Sequence, residues 1–168
     1  MTILSVFQNA SLYLGVEKPT QVYGSAERTE MEMAEMANLC REQIMKAHDW
    51  QKLSTIVAGG DIPTGDGSTE DFSLPSDYDR MHDSTQVWSS SLETPLSHIK
   101  DLNVWLGMDI RSFDVAVNAW TLYGDQIHVK PALGTGVTAK YWYISNETVQ
   151  TTGGGATKEA FTADTDEY

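Results

Sequence analysis

One cysteine, Cys40, in 168 residues excludes an intramolecular disulfide and a cysteine-rich zinc centre. It fits a reducing compartment. No apolar run approaches the ~20 residues that a bilayer span requires, so no membrane partner is expected. Residues 1–20 lack the basic start and small-residue cleavage site of a secretory leader. Cations are scarce as well: eleven Lys and Arg against 24 Asp and Glu leave a net charge of −13. A chain so short of cations cannot grip nucleic acid through its phosphates.

Catalytic signatures are missing too. There is no Gly-x-Ser-x-Gly elbow. The runs Gly59-Gly60 and Gly153-Gly154-Gly155 lack the Lys-Ser/Thr of a phosphate loop. His48, His82, His98 and His128 include no pair four residues apart, the spacing of a zinc-binding helix. No cofactor is expected. His48 falls near the end of a helix, where an imidazole can cap free carbonyls, and His128 falls opposite the core phase of its strand. An acidic-pair hydrolase would need a deep pocket and a carboxylic acid of raised pKa.

Aromatic residues are plentiful, with five Trp, seven Tyr and four Phe. Residues 3 to 14 place Ile3, Leu4, Val6, Phe7, Ala10 and Leu14 at helical spacing, with Thr2 as N-cap and Gly15 as stop. A longer helix is expected from about 26 to 52, with Ser25 as N-cap. Its apolar stripe reads Met33, Met36, Ala37, Cys40, Ile44 and Ala47. On that stripe Cys40 is expected to be an inert thiol, and the methionines of this region are expected to be core filler, the alternative being a Met-rich partner groove. Beyond Trp50 the texture is β-like. Residues 53–60 and 69–74 read as a hairpin turned at Asp66-Gly67. Residues 84–91 and 94–99 read as a short pair, and 101–110 as a helix capped by Asp101. Residues 117–133 form the clearest hairpin, around Gly124-Asp125 and ended by Pro131. Residues 137–145 are a further strand.

The expected fold is therefore α+β: two N-terminal helices, one long, packed with a mostly antiparallel sheet of short strands and one inserted short helix. A single domain is expected over 1–168. It comprises a helical part over 1–52, a β-rich part over 53–150, and a Gly-hinged acidic tail over 151–168.

The acids concentrate in TGDGSTEDFSLPSDYDRMHD, residues 64–83. As a calcium loop this stretch fails. Asp66 is followed by Ser68 and Glu70, the sixth position lacks Gly, and Asp77 replaces the final Glu. The remaining reading is a turn at Asp66-Gly67, a return strand pinned by Phe72 and Leu74 and ended at Pro75, and a second turn over Asp77, Tyr78, Asp79 and Arg80. In that second turn Arg80 pairs with neighbouring carboxylates. Asp66, Glu70, Asp71, Asp77 and Asp79 are then candidates to face a neighbour or a channel.

AHDWQKL, GDGSTEDFSLPSDYDRM, AWTLYGDQIHVKPA, KYWYIS and KEAFTADTDEY follow one another in an order that resembles the head-to-tail connector (adaptor) proteins of tailed bacteriophages, prophages and gene-transfer particles. The resemblance runs from about residue 3 to 168, and no single motif in it is catalytic. It implies a ring, usually of twelve copies, beneath the portal protein, extending the DNA channel and joining the capsid to tail or stopper proteins. It implies no enzymatic activity, a location at the head–tail junction of the virion, and synthesis in the cytoplasm of a bacterial host. DNA would pass through without sequence-specific binding, and an acidic lumen would repel it. A closed ring needs two different faces on each subunit. Trp88, Trp105 and Trp142 are candidates for one, the alternative being that all five Trp are core. Members of the family continue past an Asp-Thr-Asp-like segment into C-terminal helices, with a terminal arm that docks on the portal. Phe161, Asp164 and Asp166 are accordingly candidates for a portal-proximal tail. The reading from a different class is a small acidic Ca²⁺- or carbohydrate-binding β module.

Overall fold

The computed structural model describes residues 1–110 and 118–167. The fold is α+β, with two N-terminal helices, one of them long, and short, mostly antiparallel strands. Chain order is α1 (Ile3–Leu14), α2 (Arg28–Ala47), β1 (Ser54–Ile56), β2 (Asp71–Ser73), β3 (Tyr78–Met81), β4 (Trp88–Ser89), β5 (Ser97–His98) and α3 (Leu102–Ile110). It continues with β6 (Ala119–Tyr123), β7 (Gln126–Lys130), β8 (Ala139–Lys140), β9 (Trp142–Ser145), β10 (Val149–Gln150) and β11 (Thr157–Lys158). The chain divides into two compact units, Met1–Leu53 with Ser145–Tyr168, and Ser54–Ile144. The expected division placed residues 151–168 as an appendage. They belong instead to the helical unit.

In the helical unit, Ile3, Phe7, Val22, Val149 and Phe161 form one buried cluster. Thr2 holds the N-cap position of α1 without a side-chain bond. The Ser5 hydroxyl donates to the Thr2 carbonyl instead, at 2.7 Å. Gly15 ends α1 in the left-handed region at φ 68°, which glycine reaches without a Cβ penalty. α2 is shorter than expected at both ends. Ser25 precedes it by a turn, its hydroxyl accepting the Glu27 N–H at 3.1 Å.

The buried face of α2 also differs from the expected stripe. Arg41 and Met45 are buried, and Met33 and Ala37 of the expected stripe pack half-buried against the core beside Ala34, with Asn38 half-buried as well, while Met36, Cys40 and Ile44 are exposed. The cause is polar anchoring. Asn38 makes a two-way amide pair with the backbone of Phe161, at 3.2 and 2.9 Å, and Arg41 donates to the Thr148 hydroxyl at 2.8 Å. These bonds set Asn38 and Arg41 inward among the apolar residues of the same face. Cys40 is thus a surface thiol, and of the methionines in α2 only Met45 is fully buried.

The β-rich unit holds three sheets, ordered β2-β7-β6-β5, β1-β9-β3 and β4-β8. Trp120, Ile127, Val129, Tyr141 and Tyr143 lie in its core with Val57, Val87 and Leu96. The hairpin around Gly124-Asp125 forms as expected: β6 and β7 pair from Ala119↔Lys130 to Tyr123↔Gln126, and both turn residues have φ 58°. Val117, its expected first residue, lies outside the described residues, as does Tyr168. Asp101 caps α3 as expected, accepting the Asn103 N–H at 2.8 Å.

Two expected pairings do not form. β1 pairs with β9 and β2 with β7, so Asp66-Gly67 does not join neighbouring strands. β4 pairs with β8, and β5 runs parallel to β6. A single bridge, Trp88↔Pro95, is what remains of the expected 84–91/94–99 pair. Short segments with no helical period carry too little register information to choose partners far along the chain.

Gly65 marks where two loops of this unit meet. Its N–H donates to the Val137 carbonyl at 2.8 Å and its carbonyl accepts from Gly136 at 2.9 Å. A Cβ here would lie 2.2 Å from the Leu133 carbonyl oxygen. The Gly65→Ala variant is expected to lose about 1–3 kcal/mol of stability through forced backbone displacement. Equilibrium urea unfolding checks this, and an unchanged midpoint would contradict it.

Candidate functional site

All five acids of the candidate loop have partners within their own unit. Asp66 folds back on its own loop. Its Oδ1 accepts the Ser68 N–H at 2.8 Å, the Ser68 hydroxyl at 3.0 Å and the Thr69 N–H at 2.7 Å, and its Oδ2 accepts the Thr69 hydroxyl at 2.7 Å. The backbone N–H groups of Thr69 and Ser68, followed by the two hydroxyls, hold its carboxyl well below the usual carboxylate range. Hydrogen bonds to the ionised form favour that form.

Glu70 lies 3.7 Å from the Lys130 ammonium. Asp71 Oδ1 is 2.5 Å from His128 Nδ1, and His128 Nε2 is 3.1 Å from the Tyr123 carbonyl oxygen. The imidazole also stacks on the Tyr123 ring at 3.6 Å. His128 is 3% exposed, which corrects its expected outward phase: Asp71 from β2 and the Tyr123 ring cover it. Asp77 accepts the Tyr143 hydroxyl at 2.8 Å. Burial, and then this bond and the charge of Asp77, raise the Tyr143 phenol. Asp79 pairs with Arg80 at 2.6 Å. That pair was expected, but it sits on strand β3 rather than in a turn.

The acidic stretch is therefore a set of joints. It ties β2 to β7, and it ties the start of β3 to β9. Among the described residues no three His, Cys, Asp or Glu side chains come together as a metal site would need.

The three candidate Trp separate. Trp105 is 4% exposed and packs under the Lys130 ammonium, 5.3 Å from its ring centre. It is a core residue and cannot serve as an interface anchor. Trp88 and Trp142 are 47% and 50% exposed. They lie on strands of two different sheets of the β-rich unit. Trp88 is the cross-strand partner of Lys140, Lys140 and Trp142 flank the buried Tyr141, and Trp142 is the cross-strand partner of Ile56, itself 41% exposed. Lys140 ends β8 and Trp142 begins β9, and each belongs to a different sheet.

The tail candidates also change role. Phe161 is 4% exposed and Asp166 1%. Asp164 caps a loop, accepting the backbone N–H groups of Val22 and Tyr23 at 3.0 Å each. Asp166 Oδ2 accepts the N–H groups of Thr162 and Ala163 at 2.7 and 2.9 Å and pairs with Lys158 at 2.6 Å. Burial by itself would raise the Asp166 carboxyl. The Lys158 ammonium and the two N–H groups outweigh it and leave the carboxyl lowered. Burial, with Asp166 and Asp164 nearby, pushes the Tyr23 phenol up to about 12. Phe161 and Asp166 are thus internal anchors, unavailable to a portal surface, and Asp164 is engaged by the backbone.

Sequence reasoning missed His128, Asn38 and Arg41 as anchors. The signal for His128 was its strand-mate spacing to buried Ile127 and Val129, which a fully covered strand renders as a continuous run rather than an alternation. Comparison with known proteins gave no matching family model and no similar curated protein.

Asp66 and Asp166 are both depressed in the folded state, so their ionised forms add stability above the ordinary carboxylate value of 3.8. That contribution is lost as pH falls below it towards the folded values. The thermal midpoint of Asp66→Ala is expected to lie below that of the wild-type chain at neutral pH, with the gap closing as pH drops below about 4. A gap independent of pH would contradict this account of the loop.

Proposed function

We propose that the chain is a structural subunit of a virion: a head-to-tail connector that forms a ring under a portal protein, extends the DNA channel and meets tail or stopper proteins on its other side. The observation that carries the reading is the exposed surface of Trp88, Trp142 and Ile56 on the β-rich unit. Large half-exposed aromatics on two strands of the same unit fit a subunit interface. The division into a helical unit and a β-rich unit fits the same family expectation. The role of the acids is narrower than a charged channel lining. Asp66, Glu70, Asp71, Asp77 and Asp79 each serve a local partner, and the overall charge of −13 is what keeps a passing polyanion from sticking.

Half-exposed Trp88 and Trp142 favour one other reading, a carbohydrate-binding β module in which the indoles stack on sugar rings. Calorimetry with oligosaccharides separates the two, since the module predicts saturable binding and the connector none.

Electron microscopy of the chain mixed with the portal protein of the same genome tests the connector directly. A ring of added density on the tail-side rim is expected. The Trp88→Ala/Trp142→Ala double variant, its fold verified by circular dichroism, is expected to leave portals bare. Bare portals with the wild-type chain would overturn the reading.

A further inference from the structure

His128 is a buried titratable side chain whose two ring nitrogens both meet oxygen acceptors. Nδ1 lies 2.5 Å from Asp71 Oδ1, and Nε2 lies 3.1 Å from the Tyr123 carbonyl oxygen. A backbone carbonyl can only accept. The Asp71 side chain is 59% exposed, so water solvates its ionised form, which also only accepts. A neutral imidazole has one N–H. Either neutral tautomer therefore points a ring lone pair at an oxygen lone pair, and only the imidazolium donates in both directions. His128 is 3% exposed, so water cannot fill the unmet side, and a buried polar atom left unpaired is costly.

The elements around the ring suit a cation. The Tyr123 ring of β6 lies flat on the imidazole, 3.6 Å between centres and 3° from parallel, and offers it a π face. Thr121, the cross-strand partner on β6, is buried and uncharged. Lys130 lies two residues along β7 on the same face, since side chains alternate along a strand. This like charge is offset by Glu70 at 3.7 Å and stands over the Trp105 ring of α3. Asp125 occupies the turn of the hairpin, and its carbonyl accepts from Leu74. His98 stacks on Trp120, whose side chain alternates to the opposite face of the sheet. Among the described residues, Asp71 is the carboxylate that meets the imidazole.

What the pair holds is β2, an edge strand of three residues. Asp71 and Ser73 point to solvent, and Phe72 is its one side chain packed against the core. We propose that His128 is a proton-dependent latch: with both nitrogens protonated it clamps β2 to the β6–β7 hairpin, and on losing one proton to solvent it loosens β2. The ring then faces two oxygens with a single N–H. The folded latch binds the proton through Asp71, and an unfolded chain has no such clamp. Its contribution to stability is therefore present on the acid side and is lost as pH rises. The latch is internal to the β-rich unit and does not rest on the connector reading.

Nitrogen NMR of the isotope-labelled full chain near neutral pH is expected to show both ring nitrogens of His128 as N–H. As pH is raised, one is expected to lose its proton, and the backbone amide signals of Asp71, Phe72 and Ser73 are expected to move with it while those of β6 stay. Asp71→Asn keeps the shape of the side chain, and its amide can donate to or accept from Nδ1, so the variant satisfies a neutral imidazole. The thermal midpoint of the wild-type chain is expected to exceed that of Asp71→Asn at about pH 6, with the gap closing towards about pH 9. Other titrating groups cancel in that difference. A single N–H on the His128 ring near neutral pH would overturn the proposal, and that reading needs no variant to fold. So would a gap independent of pH, or β2 signals that stay fixed while the ring loses its proton.

Discussion

Asp164 and Asp166 close the helical unit. That unit is assembled from two chain segments, 1–53 and 145–168, and nothing covalent near the site joins them. The two carboxylates take four backbone N–H groups between them, those of Val22, Tyr23, Thr162 and Ala163. Their own carbonyls accept from Ile3 and Leu4 at the start of α1, at 2.8 and 3.3 Å. One short stretch thereby fixes the entry to α1, the loop before α2 and the last turn of the chain. Those bonds, together with the Asn38 amide pair, hold Phe161 in the core with Ile3, Phe7 and Val22, and its burial contributes roughly 1.5–3 kcal/mol. Leaving such N–H groups unpaired would cost more than the bonds themselves gain.

The same use of carboxylates recurs in the β-rich unit. Asp66 satisfies a loop, Asp71 meets the buried His128, and Asp77 holds the Tyr143 hydroxyl. Acid content in this chain therefore has two separable consequences. Locally it supplies acceptors for donors that short strands and irregular loops leave unpaired. Globally it yields a strongly anionic body, with a net charge of −13. Trp88, Trp142 and Ile56 are large apolar side chains left exposed on this anionic body.

Helices with a clear 3.6-residue period, the Gly124-Asp125 hairpin and the Asp101 cap could be read from the sequence, because each depends on residues close together in the chain. The α+β class followed from them. Strand partners could not be read in the same way. Ser54–Ile56 pairs with a strand near 144, and Asp71–Ser73 with one near 127, and nothing local selects those partners. The phase of α2 misled for a different reason. Its apolar period was real, but the inward side was set by Asn38 and Arg41 binding the backbone of Phe161 and the hydroxyl of Thr148. Among the candidate site residues, the acids adjoin one another in sequence but separate to different partners in the fold, two of them 57 and 66 residues away. Trp105 could not be separated from Trp88 and Trp142, since burial of a Trp on a short element leaves no mark in its neighbours.

Native-state hydrogen exchange of the amides of Val22, Tyr23, Thr162 and Ala163 is the most direct test of the claim that tail carboxylates lock the helical unit. The account predicts protection comparable to that of the buried residues in α1 and α2, reduced together in Asp164→Ala and Asp166→Ala. Exchange at the rate of an open chain, with α1 and α2 still protected, would show the tail to be a free arm and would contradict it.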